Sequence, residues 1–438
     1  MTSTSEYASA LTLVEGMALS YPDIPIEAIV KEDLLRRGMA WSASALEVAA
    51  RHKRKAYFIF SFDMVPIAQM EQNENIKAPE EIRLTGGPYE FQPVIVSVRL
   101  NPRSPYRVEM EGESLVLKLE GRPIANVGLQ RSPEYYSRML SNGKSITDIC
   151  PTIEWGYLLY LTVFRLCQYF GAGEECQFCD INENFRQQKK AGRPYTTVKS
   201  VSEVVEALEV IATSDSESKA YTVTGGSITG GLEGKSEAEF YAQYPAAIER
   251  RFPGRWISKM VVQALPQDDV IRFRDAGVQI YHPNYEIWDE RLFGIYCAGK
   301  ARHVSRKEWM NRILDAARVF GSCNVIPNFV AGIEMAKPAG FTTVDEAIAS
   351  TAEGLDFFMS QGVSPRFTTW CPEPLSLLGG EQEGAPLEYH VRLLRLYRDT
   401  RAKYHLPPLP GYGDAGLGRA VFSVSAFMDV LPPANDTR

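Results

Sequence analysis

The spacing of apolar positions changes twice along this chain. Up to about residue 55, apolar residues recur at intervals of three and four, as in "PIEAIVKEDLLRRG" and "SASALEVAARHKRK". That spacing predicts amphipathic helices. From 56 to 130 they alternate or run together between Pro, Gly and Asn, in "KAYFIFSFD", "QPVIVSVRL", "YRVEMEG" and "ESLVLKLEG", which predicts strands and hairpins. Residues 1–150 therefore read as an α+β domain. Beyond them, short apolar runs at 157–166, 220–224, 257–263, 278–281, 325–331 and 366–370 predict six strands. Helical spacing lies between them, near 202–212, 237–250, 267–275, 305–319 and 344–360. This alternation is the mark of an α/β unit with a parallel sheet and helices outside. Right-handed crossovers leave such a sheet open or curl it toward a barrel, and the expectation is a partial (β/α)6 TIM-like barrel over 151–385. A further helix at 386–404 and the Pro/Gly-rich "LPPLPGYGDAGLG" make a short C-terminal extension, 386–438. In either form of the sheet, functional groups collect at the C-terminal ends of the strands.

Composition narrows the class of protein. Of 438 residues, 45% are hydrophobic and 23% charged, the profile of a soluble globular protein of two or three domains. The net charge of −7 comes without blocks of one sign, which argues against nucleic acid or an anionic membrane as the main partner. The opening "MTSTSEYASALTLVEGMALSYPD" lacks the basic and apolar regions of a signal peptide. "YLLYLTVFRLC" is too short to span a bilayer. A cytoplasmic location is expected. Of seven cysteines, Cys150, Cys297, Cys323 and Cys371 are scattered, which is not a disulfide framework.

The other three fall together in "CQYFGAGEECQFCDIN", immediately after the first strand of the alternating unit. A structural zinc site closes with four ligands. Here Cys176 and Cys179 make one C-x-x-C pair, Cys167 precedes them, and no His is near. Cys150 would supply a fourth thiolate only from before the strand, toward its opposite end. An iron–sulfur cube held by three cysteines keeps one iron open for a substrate or cofactor. Three readings stand: a three-cysteine cluster site, a four-thiolate electron-transfer or structural zinc or iron–sulfur site, and a metal-free barrel with incidental cysteines.

Over roughly residues 155–375 the chain resembles the radical S-adenosylmethionine (radical SAM) superfamily. The resemblance rests on the three-cysteine loop with aromatic Phe178 before Cys179, on "TVTGGSITGG" at the second strand, and on "QIYHPNYEIWDERLF" at the fourth. "RHVSRKEWMNRILDAARVFGSCNVIPNFVAGIE" and "RFTTWCPEP" resemble its fifth and sixth strand units. The family's usual loop is C-x3-C-x2-C, and this one is an expanded C-x8-C-x2-C, with Gly171 and Gly173 in the added residues. The resemblance implies a [4Fe–4S] cluster on Cys167, Cys176 and Cys179, with S-adenosylmethionine (SAM) on the open iron. Phe178 would lie near the adenine. Gly225, Gly226 and Ser227 would receive the amino group of SAM, and Glu286 the ribose hydroxyls. Lys300 and Arg302 would face the methionine carboxylate, and His282 and Asn284 would touch substrate or ribose.

The implied activity is reductive cleavage of SAM, fed by a low-potential donor such as flavodoxin or ferredoxin, and hydrogen-atom abstraction from a small-molecule substrate in biosynthesis. Cys371, ending the sixth strand, is the candidate hydrogen donor to a substrate radical. No second Cys-rich cassette or cobalamin domain is evident, although Cys297, Cys323 and Cys371 would be the thiols for an auxiliary cluster.

Overall fold

The computed structural model describes residues 9–70, 74–379 and 382–433. The first unit is a six-stranded sheet. Its strands are β1 (Ala40–Trp41), β2 (Glu81–Gly86), β3 (Phe91–Ser97), β4 (Tyr106–Glu111), β5 (Ser114–Leu119) and β6 (Arg122–Leu129), in the order β1-β4-β5-β6-β2-β3. All neighbours are antiparallel except β1 with β4. Helices Ala10–Ser20, Ile26–Arg37 and Ala43–Ala49 precede or interrupt it, where the three-and-four spacing predicts them. Helix Ile26–Arg37 packs on β3 and on the far helix Leu387–Lys403.

One strand expectation fails. "KAYFIFSFD" joins no sheet: Tyr57 and Phe62 adopt positive φ values of 52° and 50°. Its backbone is satisfied by side chains instead, as buried polar groups require. Ala56 N–H donates to Glu80, Ser61 N–H to Asp180 and Phe62 N–H to Glu373, while Asn184 donates to the carbonyls of Tyr57 and Ile59. The apolar run reported burial correctly, but no strand among the described residues pairs with it. Strands β2 and β6, by contrast, were not among the runs singled out in the sequence.

The second unit matches its expected element order. β7 (Thr152–Ile153) pairs antiparallel with β8 (Leu158–Phe164). β8 then pairs in parallel with β9 (Ala220–Gly225), β9 with β10 (Ile257–Val262), and β10 with β11 (Ile280–Pro283). β12 (Asn328–Ala331) and β13 (Arg366–Thr369) form a parallel pair. Single parallel bridges, Tyr281 to Val325 and Glu286 to Phe329, join β11 to β12. Six parallel strands thus follow one another in chain order, curling into a partial barrel. Helices Val201–Ser214, Glu237–Arg251, Gln267–Asp275, Arg306–Phe320 and Val344–Met359 lie between them. Three of these start on capping boxes, Ser200 with Glu203, Ser236 with Glu239 and Thr343 with Glu346, a local signal that fixes where each helix begins. Buried residues run without alternation along β9, as on a sheet covered on both faces.

The Pro/Gly-rich extension is packed rather than loose. Tyr412, Phe422 and Phe427 are buried, Thr369 N–H of β13 donates to the carbonyl of Val424, and Ser97 N–H of β3 donates to that of Ser423. The buried carboxylate of Glu32 accepts from Thr369 Oγ1 at 2.5 Å and from Ala426 N–H at 2.6 Å, tying the first unit, the barrel edge and the extension together. No helix among the described residues is long and apolar enough to cross a membrane.

Candidate functional site

A cavity of about 220 Å3 runs through the barrel interior. At the C-terminal ends of the strands its wall includes Cys167, Cys176 and Cys179. Chain connectivity explains why. β8 delivers Cys167, a short 3-10 turn (Gln168–Ala172) follows, and Gly173 reverses the chain at φ 67°, a left-handed conformation that suits glycine. Asn182 brackets Cys167, its Oδ1 accepting from Cys167 N–H at 2.7 Å and its Nδ2 donating to Cys167 O at 3.3 Å. Cys179 N–H donates to Cys176 O at 3.0 Å.

Gly225 and Gly226 are required by a close approach of backbones. A Cβ on Gly226 would lie 2.5 Å from Cys167 Cα and nearer still to the Leu166 carbonyl. Gly226 N–H donates to Phe164 O at 3.1 Å, and Gln168 N–H to Ser227 O at 2.9 Å. The end of β9 therefore braces the start of the cysteine loop. Glu237, opening the next helix, holds the same turn from behind by accepting from Ile228 N–H at 3.2 Å and from Gln263 Nε2. Burial pushes the Glu237 carboxyl up to about 8.

Electrostatics at this end are set by desolvation and a few partners. Burial pushes the Cys167 thiol up to about 11 and Cys179 well above its ordinary value. A hydrogen bond from the Cys297 thiol holds Cys176 below its ordinary value. Glu286 faces the cavity from the turn after β11, at φ 63°, and accepts from Lys300 Nζ at 2.5 Å with both side chains under a tenth exposed. Burial would lower Lys300, but Glu286 and the neighbouring thiols keep it well above the usual ammonium range. Lys300 also stands 5.0 Å over the Trp309 ring.

Of the candidate residues, Cys167, Cys176, Cys179, Phe178, Gly225, Gly226, Ser227, Glu286, Lys300, His282, Asn284 and Cys371 share this one cavity. Arg302 does not, and its expected place facing the cavity is corrected here. Its side chain is 74% exposed and pairs with Glu174, so it clamps the expanded loop from outside. Cys150 is buried in the main hydrophobic core, away from the cavity wall, and Cys323 is exposed. Cys297 lies behind Cys176, and Cys371 Sγ faces the Phe62 carbonyl at 3.8 Å. Different neighbours thus surround the three thiols named for an auxiliary cluster. Burial pushes the Cys371 thiol up to about 12, so it is neutral.

Residues not singled out from the sequence complete the wall. Phe58, Phe60 and Phe62 come from the misread strand, Phe422 from the extension, and Glu154, Lys259 and Arg366 from the deeper barrel. The signal for Lys259 was present, since a charge stands inside the apolar run "ISKMVVQ". A buried charge in a strand is the informative exception to hydrophobic patterning.

The donor set, three cysteine thiols, has the chemistry that an iron–sulfur cube takes. Three thiols from one loop face one chamber, with one carboxylate–ammonium pair among the groups beside them. Among the described residues, no group of three His, Cys, Asp or Glu side chains is gathered for a single metal ion.

Among solved structures the chain is similar to methylornithine synthase, with 13% identity and a TM-score of 0.39 over 57% of this chain and 63% of that one. It is similar to a maturase of the [FeFe]-hydrogenase at 14% and 0.39, over 57% and 50%. It is also similar to a radical SAM methyltransferase from Sphaerobacter thermophilus at 11% and 0.37, over 70% and 76%. The match thus spans less than two thirds of the first two chains. No family model and no curated protein matches the sequence.

Proposed function

We propose that this chain is a radical SAM enzyme acting on a small molecule held inside its partial barrel. The observation that carries the reading is the meeting of Cys167, Cys176 and Cys179 with Gly225, Gly226, Ser227 and Glu286 at one end of one cavity. In this reading the three thiols hold a [4Fe–4S] cluster, and SAM lies between Phe178, the Gly225–Ser227 turn and Glu286. When bound, the cluster and SAM supply one-electron cleavage and hydrogen-atom abstraction. The chain's own residues bind, orient and exclude water. Lys300 holds Glu286 in place through their ion pair, the Gly226 brace fixes the loop, and Phe58, Phe60 and Phe62 cover the chamber, so reactive species are kept from water. Cys371 presents a neutral thiol as the hydrogen donor. A low-potential flavodoxin or ferredoxin supplies the electron, and the location is cytoplasmic. Residues 1–150 serve as the cap domain, 151–385 as the catalytic barrel and 386–438 as its closing segment.

Anaerobic reconstitution tests the reading. About four irons per chain are expected, with 5′-deoxyadenosine formed from SAM and dithionite. Replacing Cys167, Cys176 or Cys179 by Ala abolishes both, whereas Cys150→Ala retains them. An intact cluster that yields no 5′-deoxyadenosine overturns the proposal, and loss of iron in Cys150→Ala transfers the case to a four-thiolate site.

A further inference from the structure

The deep end of the same cavity carries charge that the cysteine end does not use. Strand register places Tyr160, Thr222 and Lys259 at one level, and Thr224, Val261 and His282 two residues nearer the mouth. Tyr160 lies four residues before Phe164, so this level is ~13 Å down β8 from the top of the strand.

Lys259 is 1% exposed. Among the described residues its ammonium donates only to the Gly411 carbonyl, at 2.8 Å, and it stands 3.7 Å over the Tyr412 ring. Arg366 enters at the base of β13, where its Nε is buried without a hydrogen-bond partner and its guanidinium lies 5.8 Å from Tyr412 and 5.7 Å from Phe422. Glu154 Oε2 is likewise buried and unpartnered. His282 Nδ1 lies 2.8 Å from the Ile326 carbonyl, to which it donates, leaving Nε2 as a bare acceptor with no partner. Unpaired buried charges and polar atoms are costly and are normally satisfied. Burial pushes Lys259 down and Glu154 up, and the charge of each opposes that shift in the other.

We propose that the barrel base is a carboxylate subsite, in which Lys259 and Arg366 receive the acid group of a small ligand whose apolar body lies along Phe58, Phe60 and Phe422. The two cations outnumber the single carboxylate facing them, Glu154, which selects an anion over a cation or a neutral molecule. Arg366 offers the forked, planar donor that matches a carboxylate. His282 Nε2 and Glu154 accept hydrogen bonds from hydroxyl or amine substituents. The ligand's apolar part then extends from the base toward the cysteine end. The inference rests on the proposed function only in taking this ligand to be the substrate, because the subsite itself needs neither cluster nor SAM.

Calorimetry on the full chain without SAM tests it, using 3-phenylpropionate and its neutral amide as probes. The acid binds saturably and the amide ~10–100-fold more weakly, as expected for a charge-assisted hydrogen bond to a buried cation. Arg366→Gln weakens the acid by a similar factor and leaves the amide unchanged, and Arg366→Lys restores part of the loss. Lys259→Met is the second variant, with the melting temperature of each confirming the fold. Equal binding of acid and amide, no saturable binding of the acid below ~10 mM, or indifference to both variants overturns the subsite. Charge-selective binding in a protein that makes no 5′-deoxyadenosine would sink the radical SAM reading and leave the subsite standing.

Discussion

The pair Glu286–Lys300 offers the sharpest test of the cavity's electrostatics. Its atoms are 2.5 Å apart, and the two side chains are 8% and 9% exposed. Glu286→Gln keeps the shape and the positive φ of 63°, so any backbone strain cancels in the comparison. What changes is the ammonium of Lys300, left among Trp309 and the cysteine loop without its carboxylate. Removing one member of a buried ion pair costs ~3–5 kcal/mol, because the desolvation of the survivor is no longer offset. Lys300→Met strands the carboxylate instead and costs about the same. The double variant has neither charge and is expected within ~1 kcal/mol of the parent. Urea unfolding at pH 7, followed by fluorescence and circular dichroism together, gives the four midpoints. A coupling energy of ~3 kcal/mol or more is the expected outcome. Additive single losses, or singles below ~1 kcal/mol, would mean that solvent reaches the pair as it does on a surface. The double variant has a second use. With its fold regained it separates the proposed contribution of this pair to SAM binding from its structural one.

Gly226→Ala forces a methyl into the backbone of Leu166 and Cys167. Overpacking of this kind costs ~1–3 kcal/mol, and here it also displaces a thiol of the loop proposed to hold the cluster, so iron content should fall more steeply than melting temperature. Normal iron with an unchanged melting point would refute the brace. Glu237, buried with a value raised to about 8, binds a proton in the folded state that the unfolded chain releases near the ordinary carboxylate value. Its contribution is complete below that ordinary value and fades as pH rises toward 8. At roughly 1.4 kcal/mol per unit, up to about 5 kcal/mol is involved, so the parent should lose more stability between pH 5 and 9 than Glu237→Gln does. Identical pH profiles would contradict this. Arg302→Gln should cost less than ~1 kcal/mol, as an exposed ion pair does, and leave SAM affinity unchanged. A large rise in the dissociation constant for SAM would return Arg302 to the cavity.

Much of the barrel was legible because its signals are local. Five of the six strand runs are buried on both faces, and three helices announce themselves through Ser or Thr followed three residues later by Glu. Order along the chain then suffices, since consecutive parallel strands are neighbours. What failed depends on phase or on distant partners. Lys300 and Arg302 stand two residues apart on one short helix, about 200° around its axis, so one faces Glu286 and the other solvent. Spacing alone fixes that difference but not which of the two turns inward. "KAYFIFSFD" has the residues of a strand, yet its hydrogen-bond partners are Glu80, Asp180, Asn184 and Glu373, the last over three hundred positions away. Lys259 and Arg366 stood in the strands from the outset, but that neither forms a close ion pair among the described residues, and that Arg366 Nε is unbonded, are properties of three dimensions.

The failures that involve distant partners share a physical origin. Six strands do not close a barrel as eight do, and here β8 ends against β7 while the outer edge of β13 is met by the extension at Val424. The segment at 56–62 and the extension at 422–424 supply the remaining wall, each satisfying its backbone through side chains or single bonds to the sheet. The cysteine end is therefore built almost wholly from barrel loops, while the apolar cover comes from both ends of the chain. Changes in those two segments can alter what fits the cavity without touching the thiols, the Gly225–Gly226 turn or the Glu286–Lys300 pair. A chamber divided in this way separates the groups proposed to start the chemistry from the groups that select its ligand.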